Sequence, residues 1–407
     1  MSDARIISSI DIGTTGIRCL IAEAPESGSP VLLGYGTAPA HGLRRGVIVN
    51  MEKTVQAISK AVEDAEIMAS TRIESAVAGI AGDHIKSINS HGVIAVSRSD
   101  NEIGDKDVRK AVDAASAVAI PTDREIIHII PQEFTINEQS GIKNPVGMTG
   151  VRLEVEVHII TVAVTSARNI VRSLERCEIA TEHLVLQSLA SAYAAVSSNE
   201  EDMGVALIDI GGDLTDIAVF YDGSIRHTGV VSLGARNVTN DITIGLRTSV
   251  EQAERLKIDH GSALASLVDA DELMEVPSAL GDRPRHISRN VLASIIEPRM
   301  EEILYLCARE IKKANPPDTL AAGVILTGGG AMLPGTAELA EQILDMPVKL
   351  GVPAGVEDLP DNLATPEYAT AIGLLNYGLR HGPGDDSKKN GLKGIFNKLV
   401  KWISNNF

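Results

Sequence analysis

Two stretches far apart in the chain share one pattern: SSIDIGTTGIRCLIAE at residues 8–23 and ALIDIGGDLTDIAVFYDG at residues 206–223. In each, an apolar run ends at an aspartate, a glycine turn follows, and a second apolar run returns, which predicts a β-hairpin. After the first hairpin, PVLLGYGTAP reads as another strand. NMEKTVQAISKAVEDAEIMAS follows with apolar residues at helical spacing and Asn50 as its cap, and SAVAGIAGDHIKSINSHGVIAVS returns to strand. Strands interleaved with helices predict an α/β domain.

The texture changes from about His84 to Thr165. A helix over GDKDVRKAVDAASAVA is joined by three strand-like runs, SINSHGVIAV, REIIHIIPQEFTIN and RLEVEVHIITVAV, which together predict a small α+β insertion. SARNIVRSLERCEIA and LVLQSLASAYAAVSS read as two helices before the second hairpin. A helix-rich block then holds TSVEQAERLKIDHGSA and RNVLASIIEPRMEEILYLCAREIKKA. GVILTGGGAMLPGTAELAEQIL gives a buried strand, a glycine turn and a helix, EYATAIGLLNYGL a last helix, and HGPGDDSKKNG a linker.

The expected division is a first lobe at 1–83 and 166–203 with 84–165 inserted, and a second lobe at 204–238 and 316–380 with 239–315 inserted. A linker at 381–391 and a terminal helix at 392–407 follow. Two lobes that each start with the same hairpin predict a ligand in the cleft between them.

Composition narrows the reading. Aromatic residues are 3% of the 407, so the cores are expected to be aliphatic, as in helices packed on buried sheets. Cys19, Cys177 and Cys307 stand alone without a CxxC pair, which disfavours a disulfide framework or a zinc site and suits a reducing cytoplasm. The N-terminus lacks the basic region and long apolar core of a signal peptide, and no run is long enough to span a membrane. A formal charge of −17 argues against a nucleic-acid partner.

The chemistry sits in the turns. Glycines after Asp11 and Asp209 bring backbone N–H groups close to an anion, and the aspartates suit a hydrated Mg²⁺ on phosphates. Thr14, Thr15, Thr215 and Asp216 add polar groups. LTGGGAMLPG places Gly328, Gly329 and Gly330 where a nucleobase and ribose can lie against backbone before a helix. There is no GxxxxGK[ST] and no GxGxxG after a strand, so P-loop and dinucleotide folds are disfavoured.

These three motifs resemble the phosphate and adenosine motifs of the actin, Hsp70 and sugar-kinase superfamily, and LQSLASAYAA and YATAIGLL fall where that superfamily places its interlobe hinge. HIIPQEFTINEQSGIKNPVGMTGVRLEVEVHII, RHTGVVSLGARNVTNDI, QAERLKIDHGSA and the tail narrow the resemblance to the FtsA family of bacterial cell-division proteins. That resemblance implies an α/β, actin-like two-lobed ATPase fold with an α+β subdomain inserted in the first lobe and a C-terminal amphipathic helix. It implies a protein that binds ATP and Mg²⁺, is at most a weak ATPase, and polymerises with itself on the cytoplasmic face of the inner membrane at the division site. There it would bind anionic lipids, hold the C-terminal peptide of FtsZ and recruit other division proteins.

Carried over by residue, Asp11 and Asp209 would face the metal. Gly13, Thr14, Thr15, Gly211 and Gly212 would surround the phosphates, and Glu254 and Lys257 would meet ribose and adenine opposite Gly328, Gly329 and Gly330. Gln187 would orient the attacking water as the catalytic residue, and Arg285, Arg289 and Asn290 would hold the FtsZ peptide. The second turn departs from the family by placing Asp213 and Leu214 where Gly and Thr are usual. A carboxylate there repels phosphates unless it binds metal or turns away. A small-molecule kinase on the same fold is the alternative function.

The tail has its own signal. At 100° per residue, Leu392, Ile395, Phe396, Leu399, Val400, Trp402, Ile403 and Phe407 fall within an arc of about 160°, with Lys393, Lys398 and Lys401 outside it. No acidic residue follows Asp386, and Trp402, the only tryptophan, lies on the apolar face. This pattern predicts a helix lying in a membrane interface.

Overall fold

The computed structural model describes residues 5–25, 29–97, 100–269, 271–276, 285–314 and 320–382. The C-terminal amphipathic helix expected at 392–407, with Leu392, Lys393, Ile395, Phe396, Lys398, Leu399, Lys401, Trp402 and Ile403, lies outside them. Among the described residues no helix is long and apolar enough to cross a membrane.

Both predicted hairpins form, and each founds a five-stranded sheet of the same topology. In the first, Arg5–Ile12 pairs antiparallel with Gly16–Ala24, which pairs antiparallel with Val31–Pro39. On its other side Arg5–Ile12 is followed by the parallel strands Ser75–Ile80 and Ala180–Leu186. In the second, Val205–Ile210, Thr215–Tyr221 and Ser224–Val231 repeat the antiparallel meander, and Val324–Thr327 and Val348–Leu350 add the parallel pair. The central strands of both sheets are almost wholly buried, as continuous apolar runs covered on both faces require.

Helix Met51–Ala69 covers the first sheet. Asn50 caps it by accepting from the Lys53 N–H at 3.0 Å, and Ala57, Ile58, Ala61, Val62 and Ala65 form its buried stripe. On the second sheet, helix Arg289–Lys312 presents Leu292, Ile296, Met300, Ile303, Leu304 and Cys307 to one aliphatic core.

One expectation changes here. The pattern runs LVL at 184–186 into the helix that follows, yet Ala180–Leu186 is a strand and the helix starts at Gln187. Only Gln187 and Ser188 separate LVL from the apolar LASAYAA, too short a stretch for its period to tell strand from helix. Parallel pairing with Ser75–Ile80 decides the matter. Helix Ala235–Leu246 and the two-stranded ribbon Leu273–Val276 with Arg285–Ser288 were also not anticipated.

The insertion is a four-stranded antiparallel sheet of Lys86–Ala95, Arg152–Ala163, Arg124–Ile136 and Gln139–Ile142, in that order. Helix Asp105–Ser116 lies on one face, and Phe134, Ile103, Leu153 and Val155 fill the core between them.

Two helices cross between the lobes, Gln187–Ala195 and Ala369–His381. A Cβ on Gly373 would stand 1.7 Å from the Ala190 carbonyl oxygen, so only glycine permits this crossing. The Ser9 hydroxyl donates to the Ala371 carbonyl at 2.8 Å and ties the second helix to the first sheet.

Candidate functional site

Antiparallel register decides what faces what at the floor of the interlobe cleft. Asp11 lies opposite Arg18 in the first hairpin, and Asp209 lies opposite Asp216 at the matching place in the second. The turns match as well, with Gly13 N–H donating to the Gly16 carbonyl at 3.1 Å and Gly211 N–H to the Leu214 carbonyl at 2.9 Å. One hairpin therefore sets opposite charges side by side, and the other sets like charges.

The first pair is satisfied. Arg18 Nη1 donates to Asp11 Oδ2 at 3.3 Å, Arg18 Nη2 pairs with Glu367, and its guanidinium lies over the Tyr368 ring. Gln187 Nε2 donates to the other Asp11 oxygen at 2.8 Å. Burial still pushes the Asp11 carboxyl up to about 6, against the pull of Arg18 and with added repulsion from Asp209.

The second pair is not. Asp209 Oδ2 accepts from Ser191 Oγ at 2.6 Å and from Thr370 Oγ1 at 3.2 Å, two hydroxyls supplied by the hinge helices, and burial raises its pKa. Burial first, then repulsion from Asp209 and Asp11, hold Asp216 well above the usual carboxylate range. Its Oδ1 is buried with no hydrogen-bond partner among the described residues. A buried like-charged pair of hard oxygen donors is relieved by a proton or a cation.

These groups open into one cavity of about 840 Å³. Asp11, Gly13, Thr14, Thr15, Gln187, Asp209, Gly211, Gly212, Asp216, Glu254, Lys257, Gly328, Gly329 and Gly330 all line it, whereas Thr215 does not and spends its hydroxyl on the Leu233 carbonyl. Gly328 has φ +82, and a Cβ there would stand 2.3 Å from Asp209 Oδ1, which fixes the third glycine turn directly against the second hairpin. Glu254 and Lys257 form an i,i+3 ion pair at 2.8 Å. Lys257 Nζ also donates to Thr239 Oγ1 at 3.0 Å, so the pair is anchored at the cavity wall rather than loose on the surface.

Asp213 does not line the cavity. Its Oδ2 accepts the Arg45 N–H at 2.8 Å, and its Oδ1 pairs with Arg236 Nη1 at 2.9 Å. The Asp213 N–H donates to Thr14 Oγ1 at 3.2 Å, and Arg236 Nη2 donates to the Thr14 carbonyl at 3.0 Å. The carboxylate that departs from the family pattern thus joins the two glycine turns across the cleft.

Arg18, Arg236 and Glu367 were not singled out from the sequence. Arg18 was within reach, because superposing the two DIG turns sets it at the place of Asp216. Nothing in the local pattern marked the other two.

Arg285, Arg289 and Asn290 lie apart from the cavity and are engaged within their own subdomain. Arg285 Nη2 donates to the Leu246 carbonyl, and Arg289 Nε donates to the His260 carbonyl at 2.7 Å while Nη1 pairs with Glu272 at 2.9 Å. Asn290 Nδ2 donates to the Ala265 carbonyl at 3.0 Å.

Asp213→Ala removes the acceptor for a backbone N–H and leaves Arg236 without its carboxylate. The expected loss of stability is about 1–3 kcal/mol, read by urea denaturation, together with faster amide exchange at Arg45. Unchanged exchange at Arg45 would contradict the clasp.

Comparison with known proteins fits this geometry. The family profile "Cell division protein FtsA" matches residues 206–373, and "SHS2 domain inserted in FTSA" matches residues 82–161. The cell division protein FtsA of Pseudomonas aeruginosa is 42% identical, covering 100% of this chain and 99% of that protein. FtsA of Escherichia coli K12 is 37% identical over 93% of this chain and 91% of its own length. Among solved structures, a PilM–PilN type IV pilus biogenesis complex chain superposes with a TM-score of 0.66 at 16% identity, covering 92% of this chain and 98% of that one. MreB5 of Spiroplasma citri bound to ADP superposes at 0.52 and 15% identity, covering 99% of each chain. The fold is thus actin-like, and with relatives this similar over its whole span the chain belongs to the FtsA family of cell-division proteins.

Proposed function

We propose that this division protein binds ATP with Mg²⁺ in the interlobe cleft and, as a polymer on the inner membrane, holds FtsZ filaments there. The observation that carries the nucleotide reading is the single cavity in which three glycine turns and three buried aspartates converge.

The turns at Gly13–Thr15 and Gly211–Gly212 present backbone N–H groups and hydroxyls to phosphates. Gly328–Gly330, with Glu254 and Lys257 across the cavity, leave room for the nucleoside. Arg18 and Arg236 both line the same space, Arg18 paired with Asp11 and Glu367 and Arg236 with Asp213.

Mg²⁺ fits the donor set, since Asp11 and Asp209 offer hard oxygens and the unpartnered Asp216 Oδ1 lies beside them. No group of three or more His, Cys, Asp or Glu side chains among the described residues makes a self-sufficient metal site, so phosphate oxygens and water would complete the shell. When bound, the metal would neutralise phosphate charge. Gln187, fixed on Asp11 by its amide, would orient a water.

The membrane part rests on the tail sequence. One short helix gains from its apolar face and about 1 kcal/mol per lysine near an anionic surface, a reversible anchor that polymerisation multiplies by avidity. The FtsZ part rests on the family and on the arginines of the second insertion, where an acidic peptide would compete with Glu272 for Arg289.

Asp209→Ala is expected to weaken Mg²⁺·ATP binding at least tenfold in calorimetric titration while leaving the fold intact. Ser191 and Thr370 already lie within hydrogen-bond distance of each other at 2.9 Å, so neither hydroxyl is stranded. Equal affinity in the folded variant would remove Asp209 from the site. Trp402→Glu is expected to abolish co-sedimentation with anionic vesicles and spare ATP binding. Retained co-sedimentation would overturn the anchor.

A further inference from the structure

The inserted subdomain belongs to the first lobe by chain connection, but one of its faces is bonded to the second. The second lobe's sheet ends at strand Ser224–Val231, whose outer edge would otherwise carry unpaired backbone groups. Side chains of the insertion meet that edge. Ser87 Oγ donates to the Thr228 carbonyl at 2.9 Å, Asn89 Nδ2 to the Arg226 carbonyl at 3.1 Å, and Gln132 Nε2 to the Ile225 carbonyl at 2.7 Å.

His158 closes the seam. Its Nδ1 lies 2.6 Å from Asn89 Oδ1 and its Nε2 lies 3.1 Å from Thr228 Oγ1. The tautomer that satisfies both donates from Nδ1 to Asn89 and accepts the Thr228 hydroxyl at Nε2. Burial, with a lesser push from His227, lowers the imidazole pKa to about 3, so the acceptor is kept. Gln132, His158 and Thr228 are 2%, 1% and 5% exposed. A network buried to this degree loses several bonds at once if it slides, so it holds one register or breaks.

The same strand reaches the cleft. Val230 and Val231 pair with Asp216 and Thr215, immediately after the Gly211–Leu214 turn, and the Thr215 hydroxyl donates to the Leu233 carbonyl at 2.9 Å. Only one residue separates Thr228 in the seam from Val230 beside the carboxylate pair.

We propose that the seam makes the inserted subdomain move with the second lobe rather than with the first lobe that encodes it, so that ligand binding in the cleft repositions the subdomain through strand Ser224–Val231. This rests on the reading of the cleft as a nucleotide site.

The test uses the full chain with spin labels at Glu138→Cys in the insertion and either Glu63→Cys in the first lobe or Glu338→Cys in the second. Calorimetry on each labelled protein establishes Mg²⁺·ATP binding separately. Adding Mg²⁺·ATP is expected to shift the 63–138 distance distribution and leave 138–338 unchanged. Asn89→Ala, which removes the bond to the Arg226 carbonyl and the acceptor for His158, is expected, once circular dichroism shows the variant folded, to shrink the 63–138 shift and to broaden 138–338. A 138–338 shift with 63–138 fixed would show that the insertion rides the first lobe and overturn the proposal, as would nucleotide binding that moves neither. An unaltered response in Asn89→Ala would overturn the seam as its cause. If calorimetry reads no binding, the nucleotide reading itself falls and the coupling falls with it.

Discussion

The constraint on which the rest of the structure depends is the register of two short hairpins at the cleft floor. One register sets Arg18 opposite Asp11 and makes a neutral pair, and the other sets Asp216 opposite Asp209 and makes a buried like-charged one. Two carboxylates at this depth do not both ionise without a cation. The folded protein therefore carries its strongest electrostatic demand in the second lobe, with Asp11 of the first adding to it, at a place where three glycine turns meet. The third turn packs so close that a side chain at Gly328 would collide with Asp209. Ligand, metal and lobe closure are thus expected to act on one spot.

Two connections hold the lobes around that spot. Behind the cleft, the hinge helices cross at Ala190 and Gly373 and send Ser191 and Thr370 to Asp209, so the hinge and the carboxylate pair share hydrogen bonds. Across its mouth, Asp213 and Arg236 join Thr14 and Arg45. A carboxylate that would repel phosphates if it faced them acts here as a clasp.

Much of this was legible in the sequence because the strongest patterns are local. The duplicated hairpins, the Asn50 cap, the insertion's helix and its three long strands, and the three glycine turns all follow from period and turn chemistry. The strand Ala180–Leu186 was not, since ATEHLVL has no clear alternation and its LVL end stands two residues from the apolar part of the next helix, so only long-range pairing separates them. Helix Ala235–Leu246 opens after a glycine with no side-chain cap and carries several Thr and Asn residues, so its propensity is weak. At the site, residue types near the glycines were visible. Arg236 and Glu367 reach it from loops and helix starts that carry no sequence mark, and the direction in which Asp213 points is a tertiary fact.

The central claim is that the Asp209–Asp216 pair makes nucleotide binding depend on a cation. The most direct measurement is calorimetric titration of ATP into the unmodified chain, once with Mg²⁺ and once with a chelator in its place. The account predicts at least a tenfold loss of affinity without the metal. Equal affinity in the two titrations would contradict it.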